Sequence, residues 1–168
     1  MEIVTINRNN REKILRKKAE EFVFADLTKK EIRELIVRMR RIMKDADGIG
    51  LAANQVGLPY RMFVAEIPDE QGRTKFYALF NPKLEKVSEK KRLLEEGCLS
   101  VPGVFGTVER AERVTLSAED KDGRPVKIRA WGLLAHVFQH ELDHLEGGLF
   151  IDKASSLYKK EADDDGKN

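Results

Sequence analysis

The chain is short of several things, and each scarcity narrows what it can be. It has one cysteine, Cys98, in 168 residues, so no disulfide can close within it, and a reducing compartment suits it better than a secreted one. No apolar run approaches the roughly 18 residues a membrane-spanning helix needs, and residues 1–10 lack the apolar core of a signal peptide. A cytoplasmic protein without membrane contact is expected. An excess of either charge is also missing. The 31 basic and 29 acidic residues leave a formal net charge of +2, with the two signs interspersed, whereas a dedicated nucleic-acid binder should be lopsided. No DNA partner is expected, and the basic runs at 11–18 and 37–41 read as solvated faces. Histidine occurs only three times, as His136, His140 and His144.

What is present describes a water-soluble globular chain, 41% hydrophobic and 36% charged with a mean hydropathy of -0.48. Its length fits one domain with a substantial core, and a monomer is expected. Between residues 26 and 44, Ile32, Leu35, Ile36, Met39, Ile42 and Met43 recur at helical spacing, and Thr28 with Glu31 forms a capping box, so an amphipathic helix is expected there. It stops in the glycine-bearing stretch 45–50. Strand patterns follow at 61–67, 75–80, 93–101, 113–120 and 125–131, the last two joined through Asp122-Gly123, a strong hairpin signal. Helical periodicity returns from Gly132 to about Leu145, and Gly147-Gly148 ends it. The expectation is an α+β fold, with mostly antiparallel strands around a C-terminal helix and an amphipathic helix near the N terminus. Residues 1–156 are read as one catalytic domain, and residues 157–168 as a charged, disordered tail.

The chemistry concentrates in the C-terminal helix, in the stretch Gln-His-Glu-Leu-Asp-His at 139–144. Residues four apart lie about 40° apart around a helix, so His140 and His144 can aim their rings at one ion. Glu141 then stands beside the ion, placed to take a proton from water, as in the His-Glu-x-x-His pattern of metal-dependent hydrolases. A catalytic ion needs a third protein ligand and an open position. His136 lies four residues upstream, but two such steps drift about 80° around the helix, so it reads as a pocket or core residue. No histidine follows His144, and too little chain follows to build a second ligand-bearing helix. Cys98 is the best remaining candidate, next to Gly97, and its alternative reading is a small buried hydrophobe.

Three stretches together resemble a family: Gly-Ile-Gly-Leu-Ala-Ala-Asn-Gln at 48–55, Glu-Gly-Cys-Leu-Ser at 96–100, and the histidine stretch at 139–144. In composition, order and interval they resemble the motifs of the peptide deformylases. Similarity extends through residues 15–20, 81–82 and 144–152. The resemblance implies a metal-dependent hydrolase that removes the formyl group from the N-terminal formyl-methionine of nascent polypeptides and releases formate. It implies that Cys98, His140 and His144 bind one divalent ion, Fe²⁺, with Zn²⁺, Ni²⁺ or Co²⁺ able to substitute. Glu141 becomes the base and then the acid, while Gln55 and the backbone N–H of Leu99 become donors to the formyl oxygen. By the same resemblance Ile49, Gly50, Leu94, Leu133 and Val137 frame the methionine site, with His136 nearby. Asp143 is expected to orient a ligand imidazole or a neighbouring basic side chain, and Asp47 to pair with Arg110. Nascent formyl-methionyl peptides are the implied partners, and any ribosome association is expected to be weak. Two alternatives share part of this pattern: a zinc endopeptidase and a deformylase-like metal-binding protein without turnover. An upstream cysteine ligand speaks against the first, and the presence of Glu141 and Gln55 against the second.

Overall fold

The computed structural model describes residues 1–6, 11–68 and 71–159. Helix α1 spans Lys29–Asp45 and starts as the capping box requires: the Glu31 N–H donates to Thr28 Oγ1 at 3.2 Å, and the Thr28 N–H donates back to Glu31 Oε2 at 2.7 Å. Its buried stripe is Ile32, Leu35, Ile36, Met39 and Met43. The helix stops where the Gly48 N–H returns to the Met43 carbonyl at 2.9 Å and Asp47 takes a positive φ of 54°.

Eight strands follow: β1 (Gly50–Ala52), β2 (Met62–Pro68), β3 (Thr74–Val87), β4 (Lys91–Cys98), β5 (Val101–Ala111), β6 (Arg113–Glu119), β7 (Pro125–Trp131) and β8 (Ser156–Lys159). Helix α2, Gly132–Leu145, enters directly from β7. All strand pairings between these elements are antiparallel. One sheet has the order β1-β2-β3-β6-β7, and the other β4-β5-β8.

The five-stranded sheet has a helix on each face. Alternation along β2 decides which residue goes where: Phe63, Ala65 and Ile67 turn toward α2, while Met62 and Val64 turn toward α1. Helix α2 contributes Ala135, Val137, Phe138, Leu142 and Leu145 to the first core. Burying side chains of this size contributes about 1.5–3 kcal/mol each for the larger ones, so Phe138→Ala is expected to cost ~3–5 kcal/mol. A third core of Val101, Val108, Leu149 and Phe150 lies under the smaller sheet and fixes the β4–β5 hairpin against the end of α2.

The α+β class and the helices match the sequence reading, and three strands correct it, the first being the short β1, which lies in a stretch read only as following α1. Strand β5 was not anticipated, because Pro102, Gly103 and Gly106 punctuate its pattern; it forms because it pairs along nearly the whole of β4. The expected tail does not begin at 157. Residues 157–159 belong to β8, which pairs Lys159 with Val104, Tyr158 with Phe105 and Leu157 with Gly106. The strand is held there by backbone pairing to a partner far away in the chain and by Tyr158 stacking on Phe105. Residues 160–168 lie outside the described residues.

Candidate metal centre and active site

Strand β4 ends at Cys98, and α2 presents His140 and His144 to it. The ligand atoms of all three lie within 4.8 Å of one another. Cys98 Sγ is 3.1 Å from His144 Nε2, and the two imidazoles stand 4.9 Å apart at 75°. A tetrahedral ion would hold sulfur and nitrogen about 3.6 Å apart, so a modest opening of the cluster accommodates one. The donor set of one thiol and two imidazoles fits a divalent transition metal.

The His140 ring is aimed by Glu96, two residues before Cys98 on β4. Its Oε2 accepts from His140 Nδ1 at 2.8 Å, which leaves Nε2 for the site. Its Oε1 meets His136 Nε2 at 2.9 Å. Arg110 of β5 grips the same carboxylate with Nε and Nη2 at 2.6 and 2.9 Å, and its Nη1 holds Asp143 Oδ2 at 2.6 Å. Glu96 and Arg110 are each 3% exposed. Burial alone would raise the Glu96 pKa, but the hydrogen bonds from His136, His140 and Arg110 hold it far below the carboxylate range.

The imidazoles are electrostatically unlike. Burial opposes charge on His140, yet its contacts with Cys98 and Glu96 raise its pKa well above the ordinary value. Burial, and then the neighbouring His140, lower that of His144, which keeps its ring neutral. A cluster that holds a proton in this way exchanges it for a cation when metal binds.

Glu141 is 3% exposed, and its Oε2 has no hydrogen-bond partner among the described residues. Burial raises its pKa to about 7. The carboxylate reaches the site because residue 50 has no side chain: a Cβ on Gly50 would stand 2.2 Å from Glu141 Oε1. Gln55 is locked in one orientation. Its Oε1 accepts the Ala52 N–H at 2.9 Å, while its Nε2 donates to Ser100 Oγ at 3.1 Å and faces Cys98 Sγ at 3.5 Å.

A cleft of about 660 Å³ brings together Ile49, Gly50, Gln55, Cys98, Leu99, Leu133, Val137, His140 and Glu141. Leu94 is not on its wall; it lines an adjoining groove of about 980 Å³ that meets the cleft at Leu133 and His136. Asp143 holds a basic neighbour, as expected. The expected pairing of Asp47 with Arg110 is corrected, because Arg110 spends its guanidinium on Glu96 and Asp143. Sequence reasoning missed Glu96 as the hub, although it stands two residues from a ligand on the same strand. It also missed Asn54, whose Nδ2 donates to the His144 carbonyl at 2.5 Å.

The family model for polypeptide deformylase matches residues 1–160. The chain belongs to the peptide deformylase family. A peptide deformylase of Halothermothrix orenii is 46% identical over 140 residues, covering 83% of this chain and 86% of that protein. Peptide deformylase 2 of Gloeobacter violaceus is 45% identical over 126 residues, covering 75% and 67%. Among solved structures, the peptide deformylase of Synechococcus elongatus in complex with actinonin superposes with a TM-score of 0.81 at 38% identity, covering 93% of this chain and 79% of that one. A probable peptide deformylase from Synechococcus phage S-SSM7 also gives 0.81, at 42% identity, covering 91% and 99%. The deformylase fold of this chain is thus an α+β arrangement built around the metal-site helix.

Proposed function

We propose that Cys98, His140 and His144 hold one divalent ion, and that Glu141 moves the proton in the reaction of the family. As a peptide deformylase the chain is a hydrolase that removes the N-formyl group from nascent polypeptides, and the family is metal-dependent. The observation that carries the assignment is a buried carboxylate with a pKa near 7, one oxygen of which has no hydrogen-bond partner among the described residues, set beside a Cys/His/His donor cluster.

A divalent ion bound there lowers the pKa of water and polarises the carbonyl it faces. The remaining work falls to the chain. Glu141 accepts the proton of the attacking water and returns it to the leaving amine, a role that a pKa near neutrality serves in both directions. Gln55 Nε2, held by Ser100, and the Leu99 N–H face the formyl oxygen as its negative charge develops, which is worth ~3–4 kcal/mol per donor in comparable sites. Glycine at 48 and 50 leaves room for a formyl carbon that carries only hydrogen. Ile49, Gly50, Leu133 and Val137 supply the methionine site, and Leu94 supports it from the adjoining groove.

Fe²⁺ is the proposed physiological ion, with Zn²⁺, Ni²⁺ or Co²⁺ accepted by the same soft donors. The working unit is a single domain that includes β8 through Lys159, a cytoplasmic monomer acting on formyl-methionyl chains, with weak ribosome association. Incubating metal-loaded protein with formyl-Met-Ala should release formate; intact metal content without formate rejects the assignment. Protein reconstituted anaerobically with Fe²⁺ should turn over faster than its zinc form, and equal rates reject iron.

A further inference from the structure

The outer face of β3, β6 and β7 plays no part in the catalytic cleft. Val114, Leu116 and Ala118 of β6 and Ala130 of β7 turn into the core, so their neighbours turn outward. Strand register sets the outward residues in rows. Lys83 is level with Ser117 and Lys127, Lys86 with Thr115 and Arg129, and Arg113 with Trp131. Five cations and an indole that is 58% exposed therefore share one face. Three carboxylates border it, and each is engaged: Glu85 with Lys127 at 2.6 Å, Glu119 with Asn81 Nδ2 at 2.6 Å, and Glu112 with Lys90 and Arg92. Lys83, Lys86, Arg113 and Arg129 join no ion pair among the described residues.

We infer that this face binds the phosphate backbone of RNA. Neighbouring strands lie about 4.8 Å apart, so Lys86 and Arg129, which flank β6, are roughly 10 Å apart, with Arg113 about 7 Å further along β6. That spreads the charge over a patch about 10 Å wide, broad enough for several phosphates of one strand, with the Thr115 and Ser117 hydroxyls between the cations as further donors. An acidic protein partner would want a desolvated apolar centre, and apart from Trp131 the residues in these rows are polar or charged.

The face opens into the groove that meets the catalytic cleft at Leu133 and His136. RNA bound here lies beside the entrance for a new chain's N terminus. That purpose rests on the deformylase reading, whereas the binding itself does not.

Fluorescence anisotropy of a labelled oligouridine of about 20 nucleotides, titrated with the full chain at several salt concentrations, tests the inference. Wild type should bind with a steep salt dependence. The triple variant Lys86→Ser, Arg113→Ser, Arg129→Ser should bind at least about tenfold more weakly, with a log–log salt slope shallower by about 2, since each single-strand phosphate contact contributes about 0.7. Its turnover of formyl-Met-Ala should stay at the wild-type rate, which also reports an intact fold. Equal affinity and slope in the two proteins overturn the inference, and so does polyglutamate competing as strongly as RNA, which would assign the face to an acidic protein. Absence of formate from wild type would instead count against the deformylase reading.

Discussion

Gly50→Ala is the sharpest probe of how the site is framed. The added Cβ would stand 2.2 Å from Glu141 Oε1, 2.9 Å from its Cδ and 3.0 Å from Val137 Cγ1. An ordinary contact needs about 3.2 Å or more, so the carboxylate must retreat by about 1 Å. Glu141 is buried and Val137 packs in the core, so the retreat is taken by the proton-carrying group and not by a floppy surface chain. A 1 Å misplacement of a reacting group costs on the order of 10²-fold in rate, equivalent to ~2.7 kcal/mol of transition-state stabilisation. The expected outcome is a kcat for formyl-Met-Ala about a hundredfold lower, with metal content unchanged and KM changed much less. Formate release and elemental analysis on the same preparation measure both. A Gly50→Ala enzyme with wild-type kcat would refute the reasoning, because the close approach would then have no bearing on Glu141.

Glu141→Gln should keep the metal and lose about 10²–10⁴-fold in kcat, and wild-type activity should fall as pH drops below about 7. The Glu141 pKa is raised in the fold, from 4.5 to about 7, so its stabilising effect is complete below 4.5 and lost as pH rises through 7. In metal-free protein Glu141→Gln should therefore match wild type at about pH 4 and exceed it by up to ~3 kcal/mol at about pH 8, measured by urea unfolding; a difference independent of pH would contradict the shift. Glu66 behaves oppositely. Hydrogen bonding from Arg40, assisted by Lys44, lowers its pKa to about 2, so its contribution is present above 4.5 and lost as pH falls toward 2. Because Arg40 and Lys44 are 42% and 54% exposed, Glu66→Gln should cost only ~1–2 kcal/mol at neutral pH, less at high salt, as read from thermal midpoints. Glu96→Ala leaves the buried Arg110 with Asp143 as its remaining ion pair and frees His140 Nδ1. It should cost ~3 kcal/mol or more and weaken metal binding by 10–100-fold in a competition titration; unchanged affinity would remove Glu96 from the site.

Local rules were enough for α1, whose capping box and apolar stripe are written in consecutive residues, and for the hairpin at Asp122-Gly123. They were also enough for His140, Glu141 and His144, because one helical turn puts them together without help from the rest of the chain. Cys98 joins them only through the packing of the β4–β5 hairpin against α2, so from its residues alone it stayed a candidate and needed the family resemblance to become a ligand. Glu96 shows the limit more sharply. An acid beside a glycine carries no sign that it is buried, or that two histidines of α2 and an arginine of β5 converge on it. Strand β8 depended on backbone pairing between residues about fifty positions apart. Charge tells the same story: interspersed lysines and arginines read along the chain as a neutral mixture, yet strand alternation and register collect them on one face. The sequence by itself determined both helices, the helix-borne part of the metal site and the reaction family, because those are encoded by neighbours along the chain. Only the tertiary structure decided the strands β1, β5 and β8, which carboxylate aims His140, which glycine admits Glu141 and where the positive charge gathers, because those depend on contacts between residues that are neighbours only in space.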